Sequence, residues 1–255
     1  MKQVLEVCVD SYDSARAAVA GGATRLELCA ALSVGGLTPY AELLSDIRSF
    51  SDIPVRCLMR PRAGDFLYTR QEISMMARQM QVLRENGASG FVTGCLTPEG
   101  ELAPMEELME AAGGLPLTLH RCIDVSRDPE KTYCQAGELG FDTVLTSGAA
   151  ANATAGMATI ARLIALREEM GGPEVLIGAG VNARVIEAFR RQVPGARAFH
   201  MSGKTAVESG MMFRREGVPM GAPGLDEWHI DTTSQQAVEE AAQALRKPLV
   251  KRLPC

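Results

Sequence analysis

Eight short apolar runs of strand character alternate with helical stretches along the 255-residue chain, and this alternation constrains the fold more than any other feature. The strand runs are 4–9, 25–30, 54–59, 90–95, 115–121, 143–145, 174–177 and 198–201. Between them lie helices predicted over 11–20, from Thr38-Pro39 onward, and over 70–85, 104–112, 128–139, 155–170 and 182–191. Their boundaries are marked by capping residues such as Asp128-Pro129 and Asn182 and by glycine stops such as Gly21-Gly22 and Gly171-Gly172. Strict strand–helix alternation specifies a parallel sheet covered by helices. Eight units of about 32 residues each suit a single-domain α/β fold, the (β/α)8 TIM barrel, which takes roughly 250 residues. A doubly wound open sheet is the rival, disfavoured because the count reaches eight and no dinucleotide fingerprint follows the first strand. The barrel domain is expected over 1–245, with a Gly- and Pro-rich loop at 217–231, a last helix over 233–245 and a frayed tail at 246–255.

Several function classes drop out. A net charge of −5 and a pI near 5.4 argue against nucleic acid, which needs a basic face. The apolar runs are too short to span a bilayer. Met1-Lys2-Gln3 leads straight into a glutamate-bearing strand, so no signal peptide is expected. Seven cysteines without a Cys-x-x-Cys spacing fit a reduced, cytosolic protein.

One phrase occurs twice: Leu5-Glu6-Val7-Cys8 and Leu26-Glu27-Leu28-Cys29, 21 positions apart. Residues two apart in a strand share a face. Glu6 therefore lies with Cys8 and Glu27 with Cys29, while the leucines and Val7 take the other side. A carboxylate inside an apolar strand is costly to bury unpaired. Two such strands side by side would gather two glutamates and two thiols in one polar pocket.

Barrel active sites lie at the C-terminal ends of the strands, and polar residues collect there: Arg60, Arg62 and Asp65, then His120, Arg121 and Asp124, then Ser147, His200 and Ser202. The opposite ends read as bland. Arg60 and Arg62 could clamp an anion bidentately. Glu6 or Glu27 could act as general base, with His120 or Asp124 as acid partner or electrophile. Arg121 and Ser147, with the loops Gly178-Ala179-Gly180-Val181-Asn182 and Ser202-Gly203-Lys204, could hold a phosphate at the ends of strands seven and eight. Each has a plainer reading: Glu6 or Glu27 as a buried partner of Arg60 or Arg121, the cysteines as small core residues, the glycines as turn formers.

The motifs Glu27-Leu28-Cys29, Gly35-Gly36-Leu37-Thr38-Pro39, Arg60-Pro61-Arg62-Ala63-Gly64-Asp65-Phe66, Val92-Thr93-Gly94, His120-Arg121-Cys122-Ile123-Asp124, Val144-Leu145-Thr146-Ser147-Gly148 and Gly178-Ala179-Gly180-Val181-Asn182 together resemble the CutC family, from about residue 3 to 215. The chain departs from the family's habit at Ala63 and at Cys122-Ile123. The resemblance implies a cytoplasmic copper homeostasis protein on a (β/α)8 barrel, a homo-oligomer (dimer or tetramer), with Cu(I) bound by cysteine thiolates, Cys8 and Cys29 being the natural pair. The alternative is a barrel enzyme of isomerase or lyase type acting on a small anionic metabolite, phosphorylated ones among the candidates. A bare scaffold has the least to support it.

Overall fold

Each of the first seven strands is followed by a helix that carries the chain back to the base of the next. The elements are β1 (Val4–Val9), α1 (Tyr12–Ala20), β2 (Arg25–Leu28), α2 (Ala41–Phe50), β3 (Val55–Leu58), α3 (Arg70–Glu85), β4 (Gly90–Thr93), α4 (Glu106–Ala112), β5 (Leu117–Leu119), α5 (Pro129–Glu138), β6 (Thr143–Thr146), α6 (Met157–Met170), β7 (Glu174–Ile177), α7 (Ala183–Gln192) and β8 (Ala198–Met201). All eight strands pair in parallel in sequence order, and β8 pairs back onto β1, so the sheet is a closed barrel. This computed structural model describes residues 3–215, 217–218, 220 and 226–248. Among those residues no helix is long and apolar enough to cross a membrane.

Strand alternation sorts the side chains into two cores. Leu5, Val7, Val9, Leu26, Leu28, Phe91, Leu119, Val144, Ile177 and Phe199 turn outward and pack with the apolar stripes of the helices. Inside the barrel, Cys8, Cys29, Leu58 and Val92 form one cluster and Leu145, Leu176 and Ala198 another. Glu6, Glu27, Arg56, Thr118, Thr143, His120 and His200 share that interior by the same alternation.

The caps explain the helix starts. Ser11 accepts from Ser14 N, Thr69 and Glu72 form a reciprocal capping box, and Asp128 and Asn182 each accept two backbone N–H groups. Thr38 does not cap a helix. Helix α2 begins only at Ala41, and the Thr38 hydroxyl instead exchanges hydrogen bonds with the Arg60 carbonyl (3.2 Å) and N–H (3.0 Å). It thereby ties the loop after β2 to the end of β3.

Three further expectations change. The predicted loop at 217–231 gives way at its end to a strand: β9 (Lys204–Glu208) and β10 (His229–Thr233) form an antiparallel hairpin beside the barrel, and residues 219 and 221–225 lie outside the described residues. The last helix, α8 (Gln235–Arg246), is capped by Ser234, and Arg190 donates to the carbonyls of Ala244 and Lys247, both at 2.7 Å. Arg246 and Lys247 are thus not frayed; of the predicted tail, 249–255 lie outside the described residues. The base of the barrel is not bland either. Arg56 donates to Thr118 (2.5 Å), Thr143 (3.2 Å) and Asp142 (2.6 Å), and Arg167 and Arg197 both bind Glu174. Polar residues therefore occupy both ends, and their presence at one end alone does not locate a site.

Two loops cross with no spare room where β6 meets α6. A methyl group added at Gly156 would lie 1.9 Å from the Ser147 carbonyl oxygen, and one at Gly148 would lie 2.3 Å from that of Gly156. The neighbours are backbone atoms and cannot rotate away. Gly156→Ala is expected to cost about 3 kcal/mol through overpacking and to lower the Tm by about 10 °C. Gly210→Ala, at a site with open space around it, should leave the Tm unchanged. Thermal melts of the two variants check this.

Candidate functional site

Barrel closure sets the site. The register of β1 on β8 places Glu6 beside His200, and that of β1 on β2 places Cys8 beside Glu27. Glu6 is fully buried; its carboxylate accepts from Arg25 Nε on one oxygen and binds His200 Nδ1 at 2.8 Å on the other. Burial alone would raise the Glu6 carboxyl, but Arg25, and then His200 and Arg56, outweigh it and hold it at about 2. Glu6 is a poor proton acceptor there, and its part is to anchor one face of the His200 ring.

His200 then turns its other nitrogen to the neighbouring strands. Nε2 lies 3.7 Å from Glu27 Oε2, and the donor atoms of Cys8, Glu27 and His200 all fall within 4.8 Å of one another. Burial pushes His200 down, but Cys8, Glu27 and Glu6 together raise it well above its ordinary value. Glu27 moves the other way from Glu6: burial raises it, His200 opposes, and the nearby Glu6 adds to the rise. The two matching glutamates therefore differ in character, one an ionised anchor and the other a carboxyl with a raised proton affinity.

Cys29 packs beside this group. Its thiol lies 3.5 Å from Glu27 Oε2, and burial, then Glu27 and Cys8, push its proton affinity well above the usual thiol range. It is not one of the three converging donors. The geometry groups Cys8 with Glu27 and His200, and Cys29 packs beside Cys8.

This trio forms part of the wall of a cavity of about 620 Å³ at the C-terminal mouth. The cavity is further bounded by Asp10, Arg60, Phe66, His120, Arg121 and Asp124, by Ala179, Gly180 and Val181 after β7, by Ser202 after β8, and by Lys204 and Asp231 of the hairpin. The mouth thus gathers Cys8, Glu27, His120, Arg60, Arg121, Asp124, Gly180 and Ser202, with Glu6 behind His200.

Several expected roles do not survive the geometry. Arg62 does not line the cavity: its guanidinium is held by Glu72 at 2.7 Å and Asp65 at 3.0 Å and lies over the Tyr68 ring. Arg60 does line it, but its terminal nitrogens are taken by the carbonyls of Val34, Gly36 and Gly64, so it fastens two loops and cannot clamp an anion with them. Asp124 is not a free acid. It accepts from Thr146 Oγ1 (2.5 Å), from the N–H of Ser147 and of Ala149, and from Arg121 Nε (2.7 Å). Ser147 is spent on Asp124, Ala150 and Arg121. Asn182 caps α7, Gly178 makes room for Leu145, whose Cδ1 would lie 2.6 Å from an added Cβ, and Gly203 accepts from Ser234; none of the three lines the cavity. Glu6 finds its partner in Arg25, not in Arg60 or Arg121.

His120 is the other notable side chain. It is 4% exposed, its Nδ1 accepts from the Cys122 N–H at 3.2 Å, and its ring packs on Phe66. Burial, helped by the Arg60 charge, lowers it to about 3. A neutral ring whose Nδ1 accepts must carry its proton on Nε2, and that atom is buried without a partner among the described residues. His200 is the functional residue that the sequence left without a role. Its signal was there: in a closed barrel the last strand lies against the first, so a polar residue in β8 must face the polar phrase of β1.

The chain has three histidines, so their ring titrations can be followed separately by NMR. His120 should stay neutral, in its Nε2–H form, until the pH falls toward about 3, and His200 should keep its proton above its ordinary range. Because unfolded His120 takes a proton near 6.5 and folded His120 does not, stability should fall as the pH drops from 6.5 toward 3. Two rings titrating together near 6.5 would contradict this geometry.

The comparisons agree with the architecture. The CutC family model matches residues 3–205. A CutC family protein of Bacteroides thetaiotaomicron is 40% identical over 250 residues, covering 96% of this chain and 99% of its own. One from Vibrio cholerae is 37% identical over 250 residues, covering 96% of this chain and 97% of its own. The solved structure of a candidate copper homeostasis protein, CutC of Streptococcus agalactiae, superimposes with a TM-score of 0.73 at 26% identity, covering 78% of this chain and 98% of that one.

Proposed function

The chain belongs to the CutC family, and on that premise we propose that it is a copper homeostasis protein that binds a copper ion at Cys8, Glu27 and His200. The observation that carries this reading is the convergence of one sulfur, one carboxylate oxygen and one imidazole nitrogen within 4.8 Å at the inner wall of the mouth. The donor set fits. Thiolate and imidazole both suit copper, and Glu6 on the far nitrogen is the carboxylate support that metal-bound histidines commonly have. Cys29, which lies outside the three converging donors, is left out of the ligand set. The reading includes a reducing, cytoplasmic setting, supported by six free cysteines among the described residues. It also includes a homo-oligomer, supported by the exposed apolar side chains Val207, Met211, Met212, Phe213 and Ile230 on and beside the hairpin.

Competition with a chromophoric chelator measures the copper affinity. Cys8→Ser and His200→Gln are expected to weaken Cu(I) binding on the order of 100-fold, and Glu6→Gln about tenfold as a supporting residue. Cys29→Ser should leave it unchanged. Equal loss at Cys29, or none at Cys8, removes the proposed ligand set.

A second reading has its own observation. A cavity of about 620 Å³ is of the size that takes a small organic ligand, far more than an ion needs. It supports a barrel enzyme of isomerase or lyase type, in which Glu27, with its raised proton affinity, moves a proton, His200 holds a positive charge beside it, and the neutral His120 Nε2–H polarises an oxygen of the substrate.

A further inference from the structure

The copper reading uses the part of the mouth formed by β1, β2 and β8 and leaves the adjoining wall over the ends of β7 and β8 without a task. On that wall, the segment Ala179–Val181 follows β7 with Ala179 at φ 71° and Gly180 at φ 75°. The backbone N–H groups of Ala179, Gly180 and Val181 donate to no group among the described residues, nor does that of Ser202 after β8. All four residues line the cavity. Successive N–H groups in such a left-handed turn form a concave anion seat, and here two adjacent strand ends supply it together. Arg121 brings positive charge to the same opening. Its Nε is fixed on Asp124 and its Nη2 on Ser147, and Nη1 makes no bond among the described residues. Independent of these loops, His120 is 4% exposed, lines the cavity, and has an Nε2–H without a partner.

We propose that the segment Ala179–Val181, Ser202 and Arg121 bind the phosphate group of a small phosphorylated metabolite, and that His120 donates to a hydroxyl or carbonyl oxygen of its organic part. The inference rests on the second reading, in which the mouth holds a substrate, and it names the class of that substrate. Several N–H donors spread over two strand ends suit a tetrahedral oxyanion better than the single edge of a carboxylate. Of the acids around the opening, Asp124 is paired with Arg121 at 2.7 Å, Asp231 with Lys204 at 2.7 Å, and Asp10 accepts the Leu32 N–H at 3.2 Å. Glu27 lies on β2, two strands away from β8, among the residues of the copper site. The geometry thus sets a phosphate end, at the loops after β7 and β8, beside a reacting end formed by Glu27, His200 and His120.

Titration of the uniformly ¹⁵N-labelled protein with inorganic phosphate, with acetate as the carboxylate control, tests this without any substitution. Phosphate in the millimolar range should shift the amide signals of Ala179, Gly180, Val181 and Ser202, and acetate at the same concentration should not. Ser202→Asp, which sets a like charge into the seat, should weaken phosphate binding at least tenfold, while Gly210→Ala, outside the cavity lining, should leave it unchanged. Silence of those four amides, or shifts of equal size with acetate, overturns the phosphate seat. Turnover of a small unphosphorylated compound, lost in Glu27→Gln while the four amides stay silent, overturns this inference and leaves the enzyme reading standing. Phosphate shifts at the four amides with no turnover in a panel of phosphorylated compounds support the seat and count against the enzyme reading.

Discussion

The Glu6–His200 contact across the closing seam of the barrel is what the site depends on. A parallel sheet of eight strands closes only if the last pairs with the first, and the register of that pairing puts a histidine opposite a buried carboxylate. Glu6 could not be buried ionised without compensation. Arg25 and His200 supply it from the two neighbouring strands, so three strands are held together by one carboxylate. The ring so fixed has one nitrogen bound and the other turned to Cys8 and Glu27.

The same contact makes two like-looking glutamates unlike. Each is the second residue of the same short phrase, yet Glu6 meets an arginine and a histidine, while Glu27 meets a shared histidine, a thiol and the charge of Glu6. Position in the barrel, not residue type, divides them into a support and a group able to exchange a proton. A parallel division separates the arginines. Arg60 and Arg62 fasten loops, Arg25 and Arg56 neutralise the interior, and Arg121 alone among these lines the cavity with a terminal guanidinium nitrogen unbonded among the described residues.

Much of the fold was legible in the chain because its signals are local. The strand starts at Val4, Arg25, Gly90, Thr143, Glu174 and Ala198, and the caps Ser11, Asp128 and Asn182, coincide with the observed elements. Thr38 misled because a threonine before a proline has the form of a cap, and only the folded chain brings the Arg60 backbone within its reach. The hairpin of β9 and β10 was missed because its strands are polar and exposed, with no alternation to betray them. At the site, the inward face of Glu6, Cys8, Glu27 and Cys29 followed from strand alternation. What did not follow was which charges each side chain would meet. The competition of Asp65 and Glu72 for Arg62, and of five donors for Asp124, is decided by loop paths that the sequence does not spell out.

A double-mutant cycle between Glu6 and His200 tests the central contact most directly. Stabilities of the native protein, Glu6→Gln, His200→Gln and the double variant would be measured by urea unfolding at one pH where the native pair is intact. A coupling of at least about 1.5 kcal/mol is expected for a buried, hydrogen-bonded pair that shares one network. Costs that add to within about 0.5 kcal/mol would show that the two side chains are independent, and the account of the site built on their contact would be wrong.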